Sequence, residues 1–299
     1  MRYLDFVRTR AHGKINLGLD VLRKREDGYH EVRMIMQQVG LYDGIEIQRI
    51  GAISGFRHIG IETNLKYLPS NENNLAYKAA ELLMDEFNIQ ESIHIKIRKM
   101  IPVAAGMAGG SSDAAAVLKG INRMFCLGLT DMQLKERGVM LGADIPYCVS
   151  GGTVLAEGIG EILTTLPPMP SCYVVLAKPG ISVSTRTVYG RLNAEEIQNH
   201  PDIYGIIAAI EKRDIVTMAK AMGNVLETVT IPEYPVIGEI KQIMMNMGAL
   251  NSMMSGSGPT VFGIFNDIDI AKNAYMVLKG NPSCRQVYIT DGGNGDERY

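Results

Sequence analysis

Hydrophobic and polar positions alternate strictly over Ser92–Arg98: Ile93, Ile95 and Ile97 fall on one face, His94, Lys96 and Arg98 on the other. That period predicts a half-buried strand. Farther along, Ala114, Val117, Leu118, Ile121 and Phe125 recur at helical spacing, the stripe of a helix with one face packed. The run between them, Ile101–Ala116 (IPVAAGMAGGSSDAAA), is glycine-rich, so the segment reads as strand, loop, helix. Ile15, Leu17, Leu19 and Val21 alternate with Asn16, Gly18 and Asp20, predicting another strand with one buried face. Lys14 and Asn16 share its polar face. Ile45 and Ile47 alternate again. Leu75, Ala79, Leu82, Leu83 and Phe87 predict a helix capped by Asn73 or Asn74. A further helix begins at Thr130 or Asp131 and ends near Gly142.

The second half reads differently. Short strands are expected at 153–156 and 161–164, and Pro167, Pro168 and Pro170 then interrupt the pattern. This cluster is the expected boundary between domains 1–165 and 166–299. Beyond it come a strand at 173–177, several helices over 185–248, strands at 250–254 and 260–265, a helix at 269–278 and a strand at 286–289. With the helices taken as one crossover, this is the split βαβ order of a ferredoxin-like domain. Both halves are therefore α+β.

At 299 residues the chain holds one large or two ordinary domains. A net charge of −2 offers no basic excess for nucleic acid, so any phosphate site must be local and built largely from backbone. Cys126, Cys148, Cys172 and Cys284 form no CxxC pair, and no two of the five histidines lie at ligand spacing. No zinc site is expected and no metal-ligating residue is singled out, and the cysteines read as lone buried thiols in a reducing compartment. The N-terminus lacks the apolar core of a signal peptide and no apolar run approaches ~18 residues. The expectation is a cytoplasmic protein with no membrane partner. The 18 methionines and absent tryptophan read as variation in core filling.

The glycine loop carries the first chemistry. Gly106, Gly109 and Gly110 permit positive φ, and backbone N–H groups at a helix start attract an anion such as a nucleotide phosphate. It is not a Walker A loop, because Gly110 is followed by Ser111, Ser112 and Asp113 with no lysine. Nor does Gly106-x-x-Gly109-Gly110 match the dinucleotide fingerprint. Taken alone, it could equally serve close packing. Asp113 reads as a first-turn acid favoured by the helix dipole. Lys14 would ordinarily be a solvent-exposed lysine, and Asp144, in Gly142-Ala143-Asp144-Ile145-Pro146, an ordinary turn residue. The functional alternative for Asp144 is a carboxylate held to accept a proton. Ser255-Gly256-Ser257-Gly258-Pro259, between two expected strands, is either a hairpin bend or a close approach to a ligand.

In order along the chain, the strand bearing Lys14, the loop Pro102–Ser112 and the loop Gly256–Gly258 resemble the three signatures of the GHMP kinase superfamily, over essentially the whole chain. The resemblance implies a two-domain α+β fold, with an N-terminal ribosomal protein S5 domain 2-like domain and a C-terminal ferredoxin-like domain. It implies a small-molecule kinase using ATP and Mg²⁺. Asp27-Gly28-Tyr29-His30-Glu31, the Asn74-Leu75 helix start and Glu157-Gly158-Ile159-Gly160-Glu161 are similar to one branch of it, which phosphorylates a small molecule bearing a cytidine diphosphate in non-mevalonate isoprenoid synthesis.

By that resemblance the ATP phosphates lie along Pro102, Val103, Ala104, Ala105, Gly106, Met107, Ala108, Gly109, Gly110, Ser111 and Ser112. A serine hydroxyl there meets a phosphate oxygen or the metal, and the adenine lies near Asn74 and Lys99. Asp144 takes the proton of the accepting hydroxyl with Lys14 beside it. Tyr29 and His30 read the cytosine, while Asn16 and Thr185 contact the substrate's diol or phosphate. Ala104, Ala105 and Ala108 stand where the family often has glycine, and alanine at positive φ would be strained. A homoserine- or mevalonate-type kinase would share the Lys14 and Asp144 logic but has no use for a Tyr-His pair. A non-catalytic ligand sensor on the same fold would have lost the lysine or the base.

Overall fold

The computed structural model describes residues 3–51 and 57–292. By its contacts the chain divides into two compact units: Met1–Gly13, Leu41–Val103 and Ala108–Gly151 form one, and Lys14–Gly40, Ala104–Met107 and Gly152–Tyr299 the other. Two long strands, β1 (Phe6–Lys24) and β2 (His30–Gly51), contribute to both.

In the first unit, β3 (Ile59–Thr63) runs parallel to β4 (Ser92–Arg98), and β4 pairs antiparallel with the second half of β2, setting Ile45 opposite Ile97 and Ile47 opposite Ile95. The helices are α1 (Leu75–Glu86), α2 (Gly109–Met124), α3 (Asp131–Val139) and α4 (Ile145–Ser150). Asn74 caps α1 through Ala76 N–H, and Thr130 caps α3 in a reciprocal box with Gln133, each satisfying a backbone donor that the helix leaves unpaired. Ala76, Ala79 and Ala80 of α1 and Ala114, Ala115 and Ala116 of α2 belong to one apolar core with Ile93, Ile95, Ile97, Leu83 and Leu118. Each fully buried isoleucine or leucine there contributes about 1.5–3 kcal/mol.

In the second unit, β1 runs parallel to β8 (Gly223–Asn224) at Gly18 and Leu19, and the first half of β2 pairs with β5 (Thr153–Glu157), which turns back as β6 (Ile162–Thr165). A separate antiparallel sheet has the order β11–β7–β10–β9, from β7 (Tyr173–Pro179), β9 (Asn251–Met254), β10 (Val261–Phe265) and β11 (Cys284–Asp291). Between β7 and β9 come α5 (Thr185–Arg191), α6 (Ile203–Glu211), α7 (Ile215–Ala221), α8 (Glu227–Glu233) and α9 (Pro235–Asn246); α10 (Ile268–Gly280) precedes β11. That is the expected ferredoxin-like arrangement, with β8 as an unforeseen strand inside the crossover.

Other departures have clear causes. β1 is far longer than Ile15–Val21, and every residue from Gly13 to Val21 is buried. Its polar face is therefore covered too. Helix α6 lies close to it: a Cβ on Gly18 would fall 2.6 Å from Ile203 Cδ1. β3 was not foreseen. Of the four cysteines only Cys172 is fully buried; Cys148 and Cys284 are partly covered and Cys126 is exposed. Among the described residues no helix is long and apolar enough to cross a membrane.

Candidate active site

Lys14 is 6% exposed and donates from Nζ to Asn16 Oδ1 at 2.8 Å, so it is not a surface lysine. Asn16 in turn donates to Met34 Sδ at 3.4 Å. Asn16 has no exposed surface of its own and holds Lys14 in place. The same unit brings together the two glycine loops. Lys14 N–H donates to Met107 O at 3.1 Å, and Ser255 Oγ to Gly106 O at 2.9 Å. Gly106 has φ 74°, and a Cβ on it would lie 2.1 Å from Ser255 O; only glycine allows this approach. A Cβ on Gly256 would lie 3.5 Å from Lys14 Nζ.

The Asp27–Glu31 segment forms a tight turn. Arg25 N–H donates to Tyr29 O, Gly28 N–H (φ 85°) to Arg25 O, and Tyr29 N–H to Asp27 Oδ1, while the Arg25 guanidinium pairs with Asp27 at 2.8 Å. Tyr29 stands 62% exposed. His30 Nε2 is buried without a hydrogen-bond partner. Burial, helped by the Lys24 charge, pulls the imidazole below its usual pKa, so it is neutral at pH 7. The ring of Tyr189, on α5, sits 5.3 Å from His30; no period or motif in the sequence had marked it. Thr185 begins α5 and bonds Ser257 Oγ at 2.7 Å, which ties it to the late glycine loop.

The start of α2 and Asp144 lie in the first unit. α2 begins after Ala108, whose φ of 55° is left-handed and whose side chain cannot cap. Ala104 also lies at positive φ, 49°, whereas Ala105 does not; the strain foreseen for three alanines falls on two. The first N–H groups of α2 thus lack a side-chain acceptor and suit an anion. Pro102 and Ser112 are buried, Val103 and Ser111 half-buried, and Gly110 is exposed. Ser112 Oγ donates to His12 O at 2.6 Å, leaving Ser111 as the loop's more accessible hydroxyl. A Cβ on Gly109 would lie 3.4 Å from Lys99 Nζ.

Lys99 bridges Asp43 (2.5 Å) and Asp113 (2.6 Å), all three buried. Its ammonium, expected beside the adenine, is committed to these carboxylates. Asp113 lies one turn inside α2, not among its first-turn residues. Burial pushes its carboxyl up to about 8 against the pull of Lys99. Asp43 also accepts from Met100 N and from Ile101 N at 2.8 Å. Asn74 uses its side chain on Ala76 N–H and Pro69 O. Asp144, partly exposed, precedes α4 without capping it, so its carboxylate is not consumed by the helix.

The model of the GHMP kinases N terminal domain matches residues 74–152, and that of the GHMP kinases C terminal domain matches residues 206–279. A 4-diphosphocytidyl-2-C-methyl-D-erythritol kinase of Lachnospira eligens is 52% identical over 96% of this chain and 99% of its own length. One of Alkaliphilus oremlandii is 52% identical over 97% of each. A solved structure of a 4-(cytidine 5'-diphospho)-2C-methyl-D-erythritol kinase superposes with a TM-score of 0.82 at 29% identity, covering 97% of this chain and all of that one. With the buried Lys14, the paired glycine loops and the Tyr-His turn accounted for, the chain belongs to the GHMP kinase family, in the branch of the 4-diphosphocytidyl-2-C-methyl-D-erythritol kinases.

Proposed function

We propose that this chain transfers the γ-phosphoryl group of ATP to the 2-hydroxyl of 4-diphosphocytidyl-2-C-methyl-D-erythritol, in the cytoplasm, as a step of non-mevalonate isoprenoid synthesis. The observation that carries the substrate is His30: a neutral imidazole with a buried, unpartnered Nε2, 5.3 Å from the ring of Tyr189 and next in sequence to the exposed Tyr29. Aromatic faces stack on a base and an unpaired ring nitrogen reads its polar edge. A homoserine- or mevalonate-type substrate has no base to use them.

Phosphoryl transfer asks a protein for position and charge more than covalent chemistry. The uncapped N–H groups of Gly109, Gly110 and Ser111 and the Ser111 hydroxyl bind phosphate oxygens. Mg²⁺ bound with ATP would supply charge neutralisation on the phosphates, with the Ser111 hydroxyl within the loop that would hold them. Asp144 removes the proton from the accepting hydroxyl, and Lys14 stabilises the developing alkoxide charge. Thr185 meets the substrate near the late glycine loop. The division into domains at residue 165 fits the interval between the two family models.

A coupled ADP-release assay with Mg-ATP tests the reading, offering the intact cytidyl substrate beside homoserine, mevalonate and the substrate stripped of its cytidine. Turnover with the intact compound alone is the expected result. Equal turnover without the cytidine would discard the role of Tyr29 and His30, and ATP binding with no ADP from any alcohol would leave a sensor.

A further inference from the structure

The segment Gly223–Glu227 lies in the stretch that the sequence pattern treats as anonymous crossover. In the structure it is wrapped around the late glycine loop. Asn224, 7% exposed, uses every polar atom of its side chain. Nδ2 donates to Met254 O at 2.9 Å and to Gly256 O at 2.8 Å, and Oδ1 accepts from Leu226 N–H at 3.0 Å. Glu227 Oε1 accepts from Met254 N–H at 2.7 Å, and its other oxygen pairs with Lys241. Met254 is thus gripped at both its N–H and its carbonyl. The gripping residues are anchored in turn: β8 pairs with β1 at Leu19, and Val225 N–H donates to Leu19 O.

What the grip fixes matters for the reaction. The loop turns through Gly256 (φ 57°) and Gly258 (φ 89°), conformations that need a firm frame. From it Ser255 Oγ reaches Gly106 O, and the Gly256 backbone lies beside Lys14 Nζ. Backbone carbonyls of Met254 and Gly256 would also be left buried and unpaired without the Asn224 amide, a costly state.

We propose that Asn224 and Glu227 are positioning residues of the phosphoryl-transfer step, acting through the Ser255–Gly258 loop on Gly106 and Lys14; this rests on the kinase reading above. The Asn224 carboxamide fits this task because its NH₂ has two donors for two carbonyls, whereas a carboxylate there would face both oxygens with no proton to give.

The test combines kinetics with amide exchange on the full chain. Asn224→Ala and Asn224→Asp are expected to lower kcat by about 10–100-fold, the scale of a sub-ångström to ångström misplacement, with KM for the cytidyl substrate changed less than about threefold. Glu227→Gln, which keeps an oxygen for Met254 N–H, is expected to recover most of the kcat lost in Glu227→Ala. Hydrogen exchange over 253–258 and 104–107 is expected to quicken in Asn224→Ala. A lowered melting temperature with wild-type kcat in the folded protein would overturn the proposal, making the residues merely structural, and so would unchanged exchange in both segments. If the wild type itself turns over no alcohol, the kinase reading has failed, and the exchange measurement alone still decides whether the clamp holds the loop.

Discussion

On β4 the polar face made by His94 and Lys96 meets solvent and the Glu62 carboxylate, in pairs whose side chains are 39–60% exposed. On β1 the polar face made by Lys14, Asn16 and Asp20 is closed off, with exposures of 6%, 0% and 5% and partners at Asn16, Met34 and His200. The alternation in the sequence is the same. A half-buried strand spends its polar positions on water, at little gain or loss. A strand covered on both faces carries desolvated charges that cost several kcal/mol each unless compensated, so their retention points to chemistry and not to stability.

Exchanging one lysine on each strand tests that contrast most severely. Lys14→Met is expected to lower kcat by about 10³-fold while leaving the melting temperature unchanged or higher. Lys96→Met is expected to keep kcat and to alter stability within about 0.5 kcal/mol. A strong loss of stability in Lys14→Met would make the lysine a structural tie and dissolve the comparison. Asp144→Asn extends it to the other reacting group, with a loss of about 10²–10⁴-fold and retained ATP binding in a calorimetric titration.

A smaller effect is expected at Asp113. Its folded carboxyl keeps a proton up to about pH 8, whereas an unfolded one releases it near pH 4. Between those values the folded state binds the extra proton, so this group's contribution to stability falls as pH rises. Asp113→Asn removes the dependence, and its advantage over wild type grows from pH 6 to pH 8 by at most about 1.4 kcal/mol per unit. Urea titrations with parallel pH trends in the two proteins would show the carboxyl to be ionised throughout.

The smallest effect concerns the loop. Left-handed alanine costs about 1–2 kcal/mol, partly offset by the greater freedom of unfolded glycine. Ala108→Gly is therefore expected to stabilise by roughly 0.5–1 kcal/mol, read as a higher melting temperature. A fall would mean that the Ala108 methyl packs to advantage.

What could be read beforehand follows the same division. β4, the caps at Asn74 and Thr130 and the ferredoxin-like order were legible, β4 because its polar face meets water and its apolar face the core; α2 was legible from its apolar spacing, although nearly all of it is buried. β1 and β2 were foreseen only as fragments, since from Gly13 to Val21 burial on both sides removes the outward limit that an alternation marks. The roles proposed for Lys14, Asp144 and the Tyr29–His30 pair rest on motifs. Asp43, Tyr189 and Asn224 were not legible, because their partners lie 56, 159 and 30 or more residues away, and a long-range hydrogen bond leaves no period behind. Alternation likewise puts Asn16 on a polar face without saying that the face is covered or that its side-chain oxygen meets Lys14.

The Arg25–His30 turn has one more consequence. Its backbone bonds and the Arg25–Asp27 pair close it upon itself, so it is a module whose shape does not depend on a distant partner. On the proposed reading of Tyr29 and His30, such a cassette exchanged whole between relatives would carry its share of the base preference with it, Tyr189 on α5 remaining behind. Replacing it by a turn of equal length without the aromatic pair should leave an enzyme that folds and binds ATP yet no longer prefers cytidine over other bases; preserved preference would place that choice elsewhere.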